Sequence, residues 1–82
     1  MNIDIEELYE SRSSLEKRYS DIENEIYSSL DSKERVKKLE EEEKLIEEQL
    51  TLLDQIIHNL LNTPKLYRKF NKLKEEYGDK YE

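Results

Sequence analysis

Two ladders of apolar residues, each spaced alternately by three and four positions, constrain the fold of this chain most strongly. The first ladder is Ile5, Leu8, Arg12, Leu15, Tyr19, Ile22, Ile26 and Ser29. The second ladder is Val36, Leu39, Glu43, Ile46, Leu50, Leu53, Ile57 and Leu60. This heptad spacing is typical of coiled coils, because it brings all members of a ladder to one face of a helix. The sequence therefore predicts two long amphipathic helices.

The junction between the ladders favours a hairpin. The phase slips by three residues between Ser29 and Leu39, which would strain one continuous coiled coil. The intervening segment "SSLDSKE" can cap a new helix with Asp31 or Ser32, and Glu34 can complete a capping box with Asp31. We therefore expect an antiparallel helical hairpin that folds back at this segment. A single helix over residues 1–62 remains the alternative, because the junction contains neither Gly nor Pro.

A short third helix is predicted to pack back on the hairpin. The second helix gains another apolar line, formed by Leu45, Leu52 and Ile56, which one neighbouring helix cannot cover. The following segment has Thr63 as a predicted N-cap, Pro64 at the first helical position and Gly78 as a predicted terminator. Its apolar residues are Leu66, Phe70, Leu73 and Tyr77. We therefore predict one all-α domain, residues 1–82, a three-helix bundle with helices at about 3–30, 33–62 and 64–77 and a tail at 78–82.

The end of the hairpin near Asp31 is predicted to be an uncovered two-helix arm, because the third helix is too short to reach it. Tyr27 and Leu30 lie on this arm, off the main ladder. A chain of this size without disulfides is near the lower limit for a stable single core. We therefore expect the arm to bind a protein partner, and the chain to form a homo-oligomer, most simply a dimer.

Charged residues within and beside the ladders offer further candidate contacts. Arg12 and Glu43 occupy ladder positions, where they could specify register and oligomer state or extend to water. The predicted partner-binding acids are Glu40, Glu41, Glu42, Glu47 and Glu48. These carboxylates could instead form an ordinary solvated face, or imitate a nucleic-acid backbone in a basic groove.

The third helix is basic, with aromatic residues interleaved. Its positive residues are Lys65, Arg68, Lys69, Lys72 and Lys74. Together with Tyr67, Phe70 and Tyr77 they resemble a surface for RNA or anionic lipid. The competing interpretation, which we favour, is that this helix docks on the acidic start of the chain near Glu6, Glu7 and Glu10.

Several functional classes are not expected from these residues. The chain has no Cys, and its single histidine, His58, has no nucleophile or second ligand near it in the pattern, so we expect no catalytic site, cofactor or metal. No apolar run reaches the length of a membrane span, and the acidic start is unlike a signal peptide. We therefore expect a cytoplasmic protein that contacts neither membrane nor nucleic acid directly.

The function predicted from the sequence is a non-enzymatic protein-interaction module, such as an adaptor, an assembly subunit or an inhibitor. The alternative is an acidic nucleic-acid mimic that blocks a DNA- or RNA-binding protein. A net charge of −7 suits either function. The absence of Ala beside many Lys, Asn, Ile and Tyr suits an AT-rich genome, such as that of many phages. No motif ties the chain to a family.

Overall fold

The computed structural model describes residues 4–58 and 63–81, and this part of the chain is an all-α three-helix bundle. Helix α1 spans Ile5–Ser28, α2 spans Lys33–His58 and α3 spans Thr63–Tyr81. The predicted fold class is confirmed, including the hairpin and the third helix packed on it. The predicted helix ends at residues 3 and 62, and the ladder position Leu60, lie outside the described residues.

Local hydrogen bonds explain where the first two helices begin. Asp4 caps α1, because its Oδ1 accepts hydrogen bonds from the backbone N–H groups of Glu6 at 3.0 Å and Glu7 at 3.4 Å. In the turn, Ser32 N–H donates to the carbonyl oxygen of Ser29 at 2.9 Å. Ser32 then caps α2, since its Oγ accepts from Arg35 N–H at 3.4 Å. Of the two predicted caps, Ser32 therefore has this role.

The predicted end of α3 at Gly78 is wrong, because the helix continues to Tyr81. Gly78 does not have the positive φ that a glycine C-cap adopts. Two contacts stabilise the extra turn: Lys80 Nζ lies 3.3 Å from Glu76 Oε1, and the Tyr81 ring lies 5.1 Å from the Tyr77 ring, centre to centre. These contacts offset the roughly 0.5–1 kcal/mol that glycine costs within a helix.

On α2 the buried residues combine three members of the predicted ladder, Leu39, Ile46 and Leu53, with a second line formed by Glu42, Gln49 and Ile56. The core side chains are Leu8, Leu15, Ile22, Leu39, Ile46, Leu53, Ile56, Phe70 and Tyr77. Gln49 and Glu42 are also buried, whereas the predicted ladder members Glu43, Leu50 and Ile57 are only half-buried. The reason is that α2 packs against both other helices, so its buried face is wider than one ladder and includes this second line.

Helices α1 and α3 are separated by an open cleft. No Cα atom of α1 lies within 8 Å of a Cα atom of α3 in the described ranges, so α2 is the helix that holds both. The cleft is lined by Glu7, Glu10, Phe70, Lys74 and Tyr77, with Gln49 of α2 between the two walls. The described part of the chain measures 46 × 19 × 19 Å. Its helices do not combine the length and hydropathy of a membrane span.

Candidate protein-interaction site

The tip of the hairpin exposes two large apolar side chains. Tyr27, in the last turn of α1, is 82% exposed, and Leu30, in the turn that follows, is 64% exposed. Only α1 and α2 are present at this level, because Tyr77, near the end of α3, contacts Glu42 well below the tip. The predicted exposure of Tyr27 and Leu30 is therefore confirmed, whereas their role in binding stays a prediction.

The surface beside this pair is basic. Lys33, Arg35, Lys37 and Lys38 are all exposed within the first two turns of α2, and they outnumber the exposed acids Asp31 and Glu34. A tip that combines apolar and positively charged side chains fits an acidic surface that also offers apolar groups. We refer below to Tyr27 and Leu30, together with these four basic residues, as the tip surface.

A second exposed apolar pair lies at the other end of α1. Ile5 is 61% exposed and Tyr9 is 50% exposed. Asp4, Glu6, Glu7 and Glu10 around them are exposed acids. Sequence reasoning missed Ile5 as a surface residue because Ile5 is the first member of the first ladder, which was predicted to face the second helix. Its position in the first turn of α1, where a helix meets solvent, was the available signal.

The predicted acidic contact residues separate into two groups. Glu40, Glu41, Glu47 and Glu48 are exposed along α2, as a solvent-facing contact surface requires. The prediction that Glu42 belongs to this exposed row is wrong, because Glu42 is only 6% exposed. Glu42 lies on the line that also contains Gln49 and Ile56, at seven-residue spacing, which points between the two neighbouring helices.

Glu42 is the centre of a polar cluster that joins the three helices. Arg18 of α1 donates from Nε to Glu42 Oε2 at 2.8 Å and from Nη2 to Oε1 at 3.1 Å. Tyr77 of α3 donates its hydroxyl hydrogen to Glu42 Oε2 at 2.5 Å. A carboxylate that accepts a bidentate guanidinium and a phenol is fully paired, so burial of its charge is compensated. We call Arg18, Glu42 and Tyr77 the polar cluster; Glu42 and Tyr77 are buried, and Arg18 is partly exposed.

The pKa shifts in this cluster agree with its geometry. Burial alone would raise the pKa of Glu42, but the hydrogen bonds from Arg18 and Tyr77 reverse this and lower it. The hydrogen bond to Glu42 raises the pKa of Arg18. Burial, followed by the bond to Glu42, raises the pKa of Tyr77. The charged pair is thus stable at neutral pH, and each of the three groups is held in one protonation state.

Sequence reasoning missed Arg18 and the role of Tyr77 as a hydrogen-bond donor. Arg18 lies off the first ladder, so the spacing gave no reason to single it out. The signal that could have found the cluster is the heptad line through Ile56 and Gln49, which reaches Glu42. A carboxylate on an otherwise buried line requires a cation from a neighbouring helix.

The two charged ladder residues are not brought together. Arg12 Nε lies 3.1 Å from Glu16 Oε1, and its Nη2 lies 3.1 Å from Asp54 Oδ1 without forming a hydrogen bond. Arg12 therefore links α1 to α2 through a partly exposed ion pair. Glu43 is half-buried, and burial, followed by repulsion from Glu47, Glu23 and Glu40, raises its pKa. Their proposed part in oligomer specificity stays a prediction.

The basic residues of α3 are solvent-facing, whereas its aromatic residues are covered. All five predicted basic residues, Lys65 to Lys74, are exposed, but Phe70 and Tyr77 are buried and Tyr67 is half-buried. Phe70 and Tyr77 are therefore not available to stack on nucleotide bases. Lys74 lines the cleft opposite Glu7 and Glu10, near the predicted docking position. The ion pairs found between described residues include none from these five.

The remaining candidate chemistry is sparse. His58 is exposed at the end of α2. Within residues 4–58 and 63–81, no three His, Asp or Glu side chains are placed to hold a metal ion together. Comparison with protein families, curated proteins and solved structures gives no match to this chain.

Proposed function

We propose that this chain is a non-enzymatic protein-interaction module that binds a protein partner through the tip surface, as an adaptor, an assembly subunit or an inhibitor. The observation that carries the proposal is the exposure of Tyr27 and Leu30, three residues apart at the tip, whereas α3 contacts α2 further down, at Glu42. Soluble proteins seldom leave two large apolar side chains together on a protruding end unless another surface covers them.

The chemistry of the tip surface suits binding. Tyrosine is enriched at protein interfaces because its ring supplies apolar area while its hydroxyl supplies a hydrogen bond. Tyr27 belongs to a regular helix, so little backbone entropy is lost when a partner binds it. The neighbouring basic residues would attract an acidic partner and orient it, which raises the association rate and the specificity.

A second candidate function is an acidic decoy for a nucleic-acid-binding protein. It is favoured by the exposure of Glu40, Glu41, Glu47 and Glu48 along one rigid helix. These four carboxylates are spread over about 12 Å at 1.5 Å per residue. Duplex DNA carries one charge per roughly 1.7 Å of its axis. The helix thus has a lower charge density than DNA, and Lys44 within the row reduces it further, so this function ranks second.

The experiment is affinity capture from nuclease-treated extract with four purified chains. They are the parent, a variant with Tyr27→Ser and Leu30→Ser, a control with Tyr81→Ser, and a variant in which Glu40, Glu41, Glu47 and Glu48 are replaced by Gln. Tyr81 is a partly exposed aromatic residue on α3 that also packs on Tyr77, so its variant controls both for loss of surface apolar area and for a small loss of stability. Bound proteins are released first by moderate salt, then by denaturant.

We expect one protein to be retained by the parent, the Tyr81 control and the glutamine variant, to resist salt and to be lost from the tip variant. Apolar contacts persist when salt screens charge, which is why release only by denaturant supports the tip. A protein that is lost from the glutamine variant, and released by salt or added DNA, would support the decoy instead. Equal retention by all four chains would refute both proposals.

A further inference from the structure

The exposed apolar residues of α1 form two pairs at its two ends. Ile5 and Tyr9 lie in the first two turns, and Tyr27 and Leu30 lie at the last turn and just beyond it. All four are more than one-third exposed, whereas the α1 core residues Leu8, Leu15 and Ile22 face α2. The chain therefore has two apolar ends joined by a polar middle.

The two tyrosines lie on the same side of α1. Tyr9 and Tyr27 are 18 residues apart, which is five turns at 3.6 residues per turn. Their Cα–Cβ bonds therefore point in the same direction, about 27 Å apart along the axis. Because an apolar pair lies at each end of this side of α1, the side can pack against the same side of a second copy that runs in the opposite direction.

The charges of the two ends are opposite on the hairpin. Four exposed acids, Asp4, Glu6, Glu7 and Glu10, lie near the Ile5–Tyr9 pair on α1 and outnumber Lys65, which follows Thr63 and Pro64 at the edge of the groove beside this pair. Four exposed bases, Lys33, Arg35, Lys37 and Lys38, follow the Tyr27–Leu30 pair and outnumber the two exposed acids among them, Asp31 and Glu34. In a parallel pair of chains like charges would meet at each end, which is destabilising. In an antiparallel pair each acidic end meets a basic end.

We propose that a second copy of this chain packs antiparallel along this side of α1 and closes a two-fold dimer. Ile5 and Tyr9 of one protomer then lie opposite Tyr27 and Leu30 of its partner, and the reciprocal contact forms at the other end. This inference rests on the proposed function, because it names the partner that covers the tip surface.

The register of this dimer has a further consequence in the polar middle. When Tyr9 faces Tyr27 of the partner, the two-fold axis lies level with residue 18. Arg12 of one protomer is then level with Asn24 of the other, one residue from the exposed Glu23. Arg12 also forms ion pairs with Glu16 and Asp54 of its own protomer, so its guanidinium would lie between carboxylates of both protomers. The acidic row on α2 remains free for another partner.

The first part of the test measures self-association of the full chain by sedimentation equilibrium. The chains are the parent, Tyr27→Ser with Leu30→Ser, Ile5→Ser with Tyr9→Ser, and the Tyr81→Ser control. We expect the parent and the control to dimerise equally, and each double variant to dimerise at least about tenfold more weakly, since both pairs serve the same contact. Circular dichroism checks that the helical content of each variant is unchanged.

The second part measures direction. The chain contains no Cys, so Asp31→Cys gives one nitroxide label per protomer in the exposed turn. In the antiparallel dimer, residue 31 is level with residue 5 of the partner, so pulsed electron resonance should give a separation of about 40 Å. A parallel dimer would bring the two labels within about 20 Å, because both tips would lie side by side.

The outcomes separate this inference from the proposed function. A monomeric parent, a short label distance, or an Ile5/Tyr9 variant that dimerises as the parent does would each overturn the antiparallel dimer. If the parent is monomeric but loses a captured protein when the tip is changed, the dimer fails and the proposed function stands. If the tip variant affects neither self-association nor capture, both fail.

Discussion

Glu42 and Glu43 are adjacent on α2, but their surroundings shift their pKa values in opposite directions. On the side that faces α3, Glu42 is buried, paired with Arg18 and Tyr77, and its pKa is lowered. On the opposite side of the α1–α2 seam, Glu43 has other acids around it, and its pKa is raised. The comparison shows that burial of the Glu42 carboxylate depends on α3, because α3 covers it and supplies one of its hydrogen-bond donors.

The largest expected effect is from removing the anchor of α3. Phe70 is 2% exposed, and Phe70→Ala should lower the free energy of unfolding by about 3–5 kcal/mol. The side of α2 that carries Glu42 would then be exposed to solvent, as the side that carries Glu43 already is in part. Urea denaturation followed by circular dichroism measures the change, with the exposed neighbour in Lys69→Ala as the control. A loss below about 1 kcal/mol would show that α3 is not held by this core contact.

The next effect is from removing the buried carboxylate itself. Glu42→Ala should lower the free energy of unfolding by about 1–3 kcal/mol, because the Tyr77 hydroxyl is left without its acceptor. Arg18 limits the loss, since its side chain is 38% exposed and can be hydrated. Glu43→Ala is the matched control on the other side, and it should change the stability far less. Equal effects of the two variants would contradict the comparison.

The parent chain and Glu42→Ala should also differ in how their stability changes at acidic pH. Because the pKa of Glu42 is lowered in the folded state, its contribution is complete above its ordinary pKa and is lost as the pH falls through the folded value. The stability of the parent chain should therefore fall more steeply in acid than that of Glu42→Ala. Parallel stability curves from neutral to acidic pH would show that the carboxylate is not specially stabilised.

A smaller, stabilising effect is expected from a substitution at Gly78 in the last turn of α3. Gly78 follows Tyr77 inside α3 without a positive φ, so Gly78→Ala should raise the free energy of unfolding by about 0.5–1 kcal/mol. A firmer last turn would hold Tyr77 more strongly against Glu42. Thermal denaturation compares the variant with the parent. Destabilisation instead would mean that a methyl group cannot fit at this half-buried position.

The smallest effect on stability is expected at Glu43, on the side of α2 away from α3. Glu43 and Glu47 are like charges four residues apart on a helix, so Glu43→Gln should add about 0.2–0.5 kcal/mol at neutral pH. Because the pKa of Glu43 is raised in the folded state, stability is lost as the pH rises through its ordinary and then its folded value. The gain should therefore vanish in acid, where both states are protonated. Urea titrations at the two pH values measure it, and a gain that persists in acid would have another cause.

Most of the fold could be predicted from residue spacing. The heptad ladders gave two helices, their phase slip and the Ser-rich segment gave the turn, and the apolar residues after Pro64 gave the third helix. The error at Gly78 arose because glycine terminates helices in general, whereas here the turn beyond it is stabilised by the Glu76–Lys80 and Tyr77–Tyr81 contacts. Such compensation depends on side chains that follow the glycine.

The candidate site was less predictable. The exposure of Tyr27 and Leu30 followed from their positions off the ladder, because spacing alone identifies residues that a partner helix cannot cover. The burial of Glu42 could not be assigned from the α1 seam, which selected Glu43. The choice between adjacent glutamates depends on the angle at which α3 packs, and that angle is a property of three helices together.

The order of contacts along the chain also affects how it folds. The helices whose backbones pack closely are adjacent in sequence, α1 with α2 and α2 with α3, whereas no Cα atom of α1 lies within 8 Å of one of α3 in the described ranges. Such a topology has a low contact order, so little loop entropy is lost before contacts form, and folding should be fast. Either hairpin can form first, and α2 belongs to both. A substitution in α2 should therefore slow folding, whereas one on the far side of α1 or α3 should mainly accelerate unfolding.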